Sequence, residues 1–203
     1  MLEFKNYQCR ANISQDKEKN VYLVGRPIVF GQPTEIAGAA TGYYTEIIDP
    51  GALDHADLRD VRFLVNHNQS MIPLARFRSG NKNSTMDLKI TRLGLDIRVG
   101  IDVENNKTAK ELYSAVSRGD MTGMSFAMMV GKDSWEGLDT EKPVRHITSI
   151  SKVLEVSAVT FPAYDQTWLT IADRTTQDSV RASIERAKKS ERQRQVIRIL
   201  SEL

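Results

Sequence analysis

Apolar and polar residues alternate along most of this chain with the period of a strand, not a helix. "NVYLVGRPIVFG" (Asn20–Gly31) reads as a strand with a glycine bend, and "GYYTEIID" (Gly42–Asp49) as a second strand closed by the turn pair Pro50-Gly51. "ALDHADLRD" (Ala52–Asp60) predicts a short helix ahead of the strand "VRFLVNH" (Val61–His67), in which Val61, Phe63, Val65 and His67 fall on one face. "STMDLKITRLGLDIRVGID" (Ser84–Asp102) alternates on both sides of Leu93-Gly94, as a hairpin does. The period then changes. In "NNKTAKELYSAVSRG" (Asn105–Gly119) Ala109, Leu112, Tyr113 and Val116 recur at helical spacing, and Gly119 is placed to end a helix. Two further strands are expected, "GDMTGMSFAMMV" (Gly119–Val130) and "ITSISKVLEVSAVTF" (Ile147–Phe161), separated by a turn-rich excursion. The second is apolar on both faces, as in a strand covered on both sides, and Pro162 ends it. The pattern is that of a β-rich domain with a few helices.

Beyond about Thr170 the texture changes. Val180, Ile184, Ala187, Ile199, Leu200 and Leu203 stand among charges, which predicts an amphipathic helix poorly apolar in its middle. The chain thus divides into a domain, 1–170, and a basic helical tail, 171–203. Charge follows the same division. From Arg174 onward 8 Lys and Arg face 4 Asp and Glu, whereas the preceding residues hold 20 against 22. A near-neutral body argues against nucleic-acid binding. With 203 residues, 40% hydrophobic and 27% charged, the chain is long enough for one sizeable core. The single cysteine, Cys9, forms no internal disulfide. No run approaches the roughly 20 apolar residues of a membrane span, and an intracellular setting without membrane contact is expected.

In the Gly119–Val130 strand, Met124, Phe126, Met128 and Val130 form a bulky face, while Ser125 and Ala127 begin a small one. A small face leaves room for another molecule beside the Ser125 hydroxyl, and Gly119 and Gly123 permit close backbone approach. "GMSFA" lacks the final glycine of the G-x-S-x-G elbow, and no βαβ alternation surrounds it, which excludes an α/β-hydrolase. A serine nucleophile needs a base. Of the three histidines, His55 and His146 read as surface residues. His67 ends an apolar strand between Asn66 and Asn68, and is either a structural or a catalytic histidine. Glu155 shares a strand face with Val153, Val159 and Phe161; either that face meets solvent there, or the carboxylate is buried and paired, for which a histidine N–H is a suitable partner. No spacing suits a metal, and no phosphate-binding glycine loop occurs, so no cofactor is expected.

Taken in order, "LVNHN…IPLAR" (Leu64–Arg76), "SRGDMTGMSFAM" (Ser117–Met128) and "LEVSAVTFPAY" (Leu154–Tyr164), with "GRPIVFG" and "IDPGALDH" upstream, resemble the prohead maturation proteases of tailed phages, serine proteases related in fold to the herpesvirus assembly proteases. The resemblance covers about Val21–Asp165. It implies an α+β, mainly β fold, a closed or partly closed β-barrel flanked by helices. It implies Ser125 as nucleophile and His67 as general base. The third member is Glu155 or, as in the herpesvirus enzymes, a histidine. The family usually carries an acidic residue after its histidine, where this chain has Asn68. By the same resemblance the substrates are the scaffold segment of the major capsid protein and the protease itself, cut inside the immature capsid in a bacterial cytoplasm, with a homo-oligomer admitted. The rival is a non-enzymatic scaffold or assembly protein that works through its basic tail.

Overall fold

The computed structural model of the chain describes residues 2–8, 21–38, 42–161 and 167–171. Eleven strands and one helix are found among them, in the order β1 (Leu2–Gln8), β2 (Val21–Val29), β3 (Thr34–Gly38), β4 (Gly42–Ile48), β5 (Asp60–Val65), β6 (Ala75–Arg78), β7 (Met86–Thr91), β8 (Gly94–Ile101), α1 (Lys107–Arg118), β9 (Gly123–Glu136), β10 (Val144–Val159) and β11 (Trp168–Ile171). The mainly β expectation holds. The closed barrel does not: the strands form one four-stranded sheet, β11-β2-β8-β7, and one seven-stranded sheet, and no ladder joins the two. One apolar cluster fills the space between them, with Leu23, Leu95, Ile97 and Val99 from the smaller sheet and Phe63, Met124, Phe126 and Val156 from the larger.

The larger sheet is organised by β10. Its whole length pairs antiparallel with β9, while along its other edge Val144–Ile147 pairs parallel with β4 and Glu155–Ala158 parallel with β5. On the outer side of β9 lies β1. The sequence explains why the strands stay buried. Phe126 and Met128 from β9 and Val156 and Ala158 from β10 have no solvent exposure, and a strand apolar on both faces is stable only when both faces are covered.

The helix forms where its period places it. Ala109, Leu112 and Val116 are buried, the Asn106 side chain caps the first turn by accepting from the Ala109 N–H at 3.1 Å, and Gly119 closes the last turn at φ 79°. The helix expected over Ala52–Asp60 is absent. Three-residue turns follow one another there, because Ala52 and Leu53 are both drawn into the core and Asp57 is bridged to Lys152 of β10. Ile171 still belongs to β11, and the remainder of the expected helical tail lies outside the described residues.

Two positions in this frame carry predictions. Gly94 follows the Arg92-Leu93 turn of the β7–β8 hairpin at φ 143°, and a Cβ there would stand 1.7 Å from the Ile28 carbonyl oxygen. No side chain relaxes a clash with backbone. Gly94→Ala is expected to cost about 3 kcal/mol or more, read as a lowered urea midpoint. Asp60 takes a two-pronged bond from Arg76, at 2.6 and 2.7 Å, which ties β5 to β6 and, with Arg62 nearby, holds its carboxyl below the ordinary range. A carboxyl depressed in the folded state stabilises above its unfolded pKa, and that contribution is lost as pH falls through the folded value. Asp60→Asn should therefore cost up to about 1 kcal/mol at neutral pH, a gap that closes progressively below about pH 4 in paired melting curves.

Candidate active site

Strict alternation along β5 puts Val61, Phe63 and Val65 on the core face, and would put His67 there too. Instead β5 ends at Val65, and Asn66 and His67 both take left-handed backbone, φ 50° and 56°. Asn and His tolerate this region better than most residues. The turn is pinned to the end of β10 and the residue after it: the Asn66 N–H donates to the Ala158 carbonyl at 2.8 Å, and the Asn66 Oδ1 accepts the Thr160 N–H at 3.0 Å. His67 is thereby carried off the core face, onto the side of the sheet where Glu155 lies.

Glu155 reaches that side through a second irregularity. Val153 pairs with Met128 and Glu155 with Ala127, so β10 spends one more residue than β9 between these two pairs. This bulge changes the facing of everything beyond it. Val153 lies in the core with Val156 and Ala158, contrary to the simple alternation that grouped it with Glu155. Glu155 and Ser157 point the other way.

On that face the His67 Nδ1 and Glu155 Oε1 stand 2.7 Å apart. Glu155 is 2% exposed, so its charge is taken almost wholly out of water. A buried carboxylate is tolerable only when paired and hydrogen-bonded. Both conditions are met, since the Ser157 hydroxyl donates to Oε2. A carboxylate on Nδ1 selects the tautomer that carries its proton there and makes Nε2 the basic nitrogen. Ser157 is a site residue the sequence reading missed, although its place two residues after Glu155 on one strand was a usable signal. Asn68 stands apart, its side chain accepting from the N–H and hydroxyl of Ser70.

Ser125 lies one strand away from this pair. In the β9–β10 register it is directly opposite Ser157, which in turn pairs with Leu64 of β5. Its Oγ is fully buried and, among the described residues, has no hydrogen-bond partner, His67 included. The small face thus lies on the same side of the sheet as the carboxylate, but it is covered, and no hydrogen bond joins Ser125 Oγ to His67. His146 lies at the opposite end of β10, with its Nδ1 2.8 Å from Asp49, and His55 is exposed in the turns before β5. Of the two candidates for a partner to His67, geometry brings up Glu155 and leaves His146 remote.

A cleft of about 350 Å³ opens beside the pair, with Leu64, Met71, Pro73 and Leu154 among its apolar lining and Arg62, Gln69 and Glu155 as its polar lining. Glu155 in its wall brings the cleft to one member of the pair. Among the described residues no group of three or more His, Cys, Asp or Glu is arranged to hold a metal ion, and no helix is long and apolar enough to cross a membrane.

Comparison with known proteins gives the chemistry its setting. A search of the curated proteins finds no match to the chain. Among solved structures, the capsid assembly protease gp21 of bacteriophage T4 is similar at 11% identity and a TM-score of 0.41, with 80% of this chain and 98% of that chain covered. The model of the caudovirus prohead serine proteases matches residues 5–181, most of the sequence. On that match the chain belongs to the caudovirus prohead serine protease family.

Proposed function

We propose that this chain is a capsid-maturation endopeptidase whose nucleophile is Ser125, with His67 as general base and Glu155 as the group that orients His67. The observation that carries the reading is the 2.7 Å contact between His67 Nδ1, on the turn that ends β5, and the buried carboxylate of Glu155, on the strand next to the one bearing Ser125. In the proposed reaction His67 Nε2 takes the Ser125 proton as Oγ attacks the scissile carbonyl. The imidazolium, held and stabilised by Glu155, then returns the proton to the leaving amine. Backbone N–H groups hold the oxyanion. With Ser125 buried and, among the described residues, without a hydrogen-bond partner, the arrangement is a resting one. Turnover requires the face over Ser125 to open and the His67 ring to close on its hydroxyl, as catalytic hydrogen bonds often tighten only around substrate.

The substrates in this reading are the scaffold segment of the major capsid protein and the protease itself, cut within the immature shell. Residues after about Arg174 recruit the enzyme there or are removed by self-cleavage, and take no part in chemistry; their excess of basic over acidic residues sets them apart from the near-neutral body. A chain ended at Arg174 is expected to cleave capsid protein in solution at the full-length rate and to fall out of assembled shells. A folded truncation that no longer cleaves in solution would show the tail to be part of the machinery. The function itself is tested by co-expression with the capsid protein. The reading predicts one discrete shortened capsid species by intact mass; full-length capsid protein beside a folded protease would favour a non-enzymatic assembly role.

A further inference from the structure

The Ser157 hydroxyl occupies a position that the proposed mechanism leaves unused. It is fully buried, sits on β10 directly between Ser125 of β9 and Leu64 of β5, and touches two parts of the base assembly at once. Its O–H donates to Glu155 Oε2, and its Oγ accepts the backbone N–H of His67 at 3.3 Å. A hydroxyl has one proton to give and lone pairs to receive with. With the His67 N–H directed at its oxygen, the proton is left for the carboxylate. The two bonds therefore fix the rotor of Ser157, and each supports the other.

We infer that Ser157 is a positioning residue for the reaction, a clasp that locks Glu155 to the left-handed turn carrying His67. This rests on the reading of His67 as base and Glu155 as its orienting group. Two degrees of freedom make such a clasp necessary. A glutamate has three side-chain torsions, and with only Oε1 engaged by His67 the carboxylate is free to rotate about the last of them. His67 in turn stands on backbone at φ 56°, a conformation that persists only when its surroundings over-determine it. Ser157 closes both at one atom. It does so from a fully buried position inside the sheet. A serine there to satisfy itself alone would bond its own strand's backbone; this one spends its donor on the carboxylate and its acceptor on the base.

The test combines turnover with a measurement on the resting protein. Ser157→Ala is expected to lower kcat about 10- to 100-fold with KM little changed, the loss of one hydrogen bond to a charged group. In a Glu155→Gln background the same change should bring no further loss and restore part of the rate, because the hydroxyl that turns the amide nitrogen toward His67 is gone. By NMR, the downfield proton on His67 Nδ1 should broaden or move upfield in Ser157→Ala. Ser157→Cys, nearly the same size but a weak donor, should fold like the parent and show the same loss, which keeps the question open to measurement should the alanine variant fold poorly. Full turnover by folded Ser157→Cys, additive losses in the double variant, or an unmoved Nδ1 proton would each overturn the inference. The proton signal is read without substrate. A wrong assignment of Ser125 as nucleophile would therefore appear as undiminished cleavage by Ser125→Ala and leave this answer standing.

Discussion

Replacing Ser125 by alanine is expected to abolish cleavage while leaving the protein as stable as before, or more so. Triad serines in well-studied proteases account for roughly 10⁶ in turnover, and a reaction that loses its nucleophile has no second route of comparable rate. The stability expectation follows from the burial of the hydroxyl. Ser125 Oγ has no solvent exposure and no hydrogen-bond partner among the described residues, so its removal breaks no hydrogen bond described in the structure. Alanine removes that group and leaves a gap of a single oxygen on a face already lined by Ala127. A melting temperature equal to or above the parent's, together with no cleaved capsid protein, is the expected pair of results. An inactive variant that has also unfolded would say nothing for a nucleophile, and a stable variant that still cleaves would remove Ser125 from the mechanism.

The second large effect is expected at Glu155. The carboxylate accepts on both oxygens, from His67 Nδ1 at one and from the Ser157 hydroxyl at the other. Glutamine has the same shape but one acceptor, and its amide nitrogen must face one of those two groups. Ser157 holds its own proton toward Oε2, so the amide nitrogen turns toward His67 and donates to Nδ1. The imidazole proton then moves to Nε2, the nitrogen that must be unprotonated to act as base. The comparable change in a serine protease triad lowers kcat by about 10⁴. Glu155→Gln should show a loss of that order with KM nearly unchanged, and His67→Ala a loss at least as large. His146→Ala, although it breaks a 2.8 Å contact with Asp49, should cleave much as the parent does. Near-normal cleavage by Glu155→Gln beside a dead His146→Ala would transfer the third role to the histidine.

How far these residues could be read from the sequence depended on whether a regular period or a local exception placed them. The β7–β8 hairpin, helix α1 and the bulky face of Met124, Phe126 and Met128 follow from periodicity alone, and each formed where the pattern put it. The exceptions sit in the candidate site. An extra residue near Leu154 reverses the facing of β10, and two left-handed residues carry His67 away from the face its number assigns. Both are backbone events that a two-residue period does not encode. Without them Glu155 and His67 would not meet. Strands β1, β3, β6 and β11 were missed, β6 and β11 because four residues hold too little alternation to register. The helix expected at Ala52–Asp60 lost to the sheet, which gained two core residues and the bridge from Asp57 to Lys152. The closed barrel, which came with the resemblance and not from the residues, is replaced by two open sheets about one core.

The central claim is that Ser125 is the nucleophile and draws its reactivity from His67. The most direct measurement is covalent labelling with a serine-reactive fluorophosphonate, carried to completion and mapped by peptide mass spectrometry on the full chain. A single modified serine is expected, Ser125, with labelling lost in Ser125→Ala and strongly slowed in His67→Ala. Labelling of another serine in parallel with loss of cleavage, or cleavage that continues after Ser125 is fully modified, would contradict it.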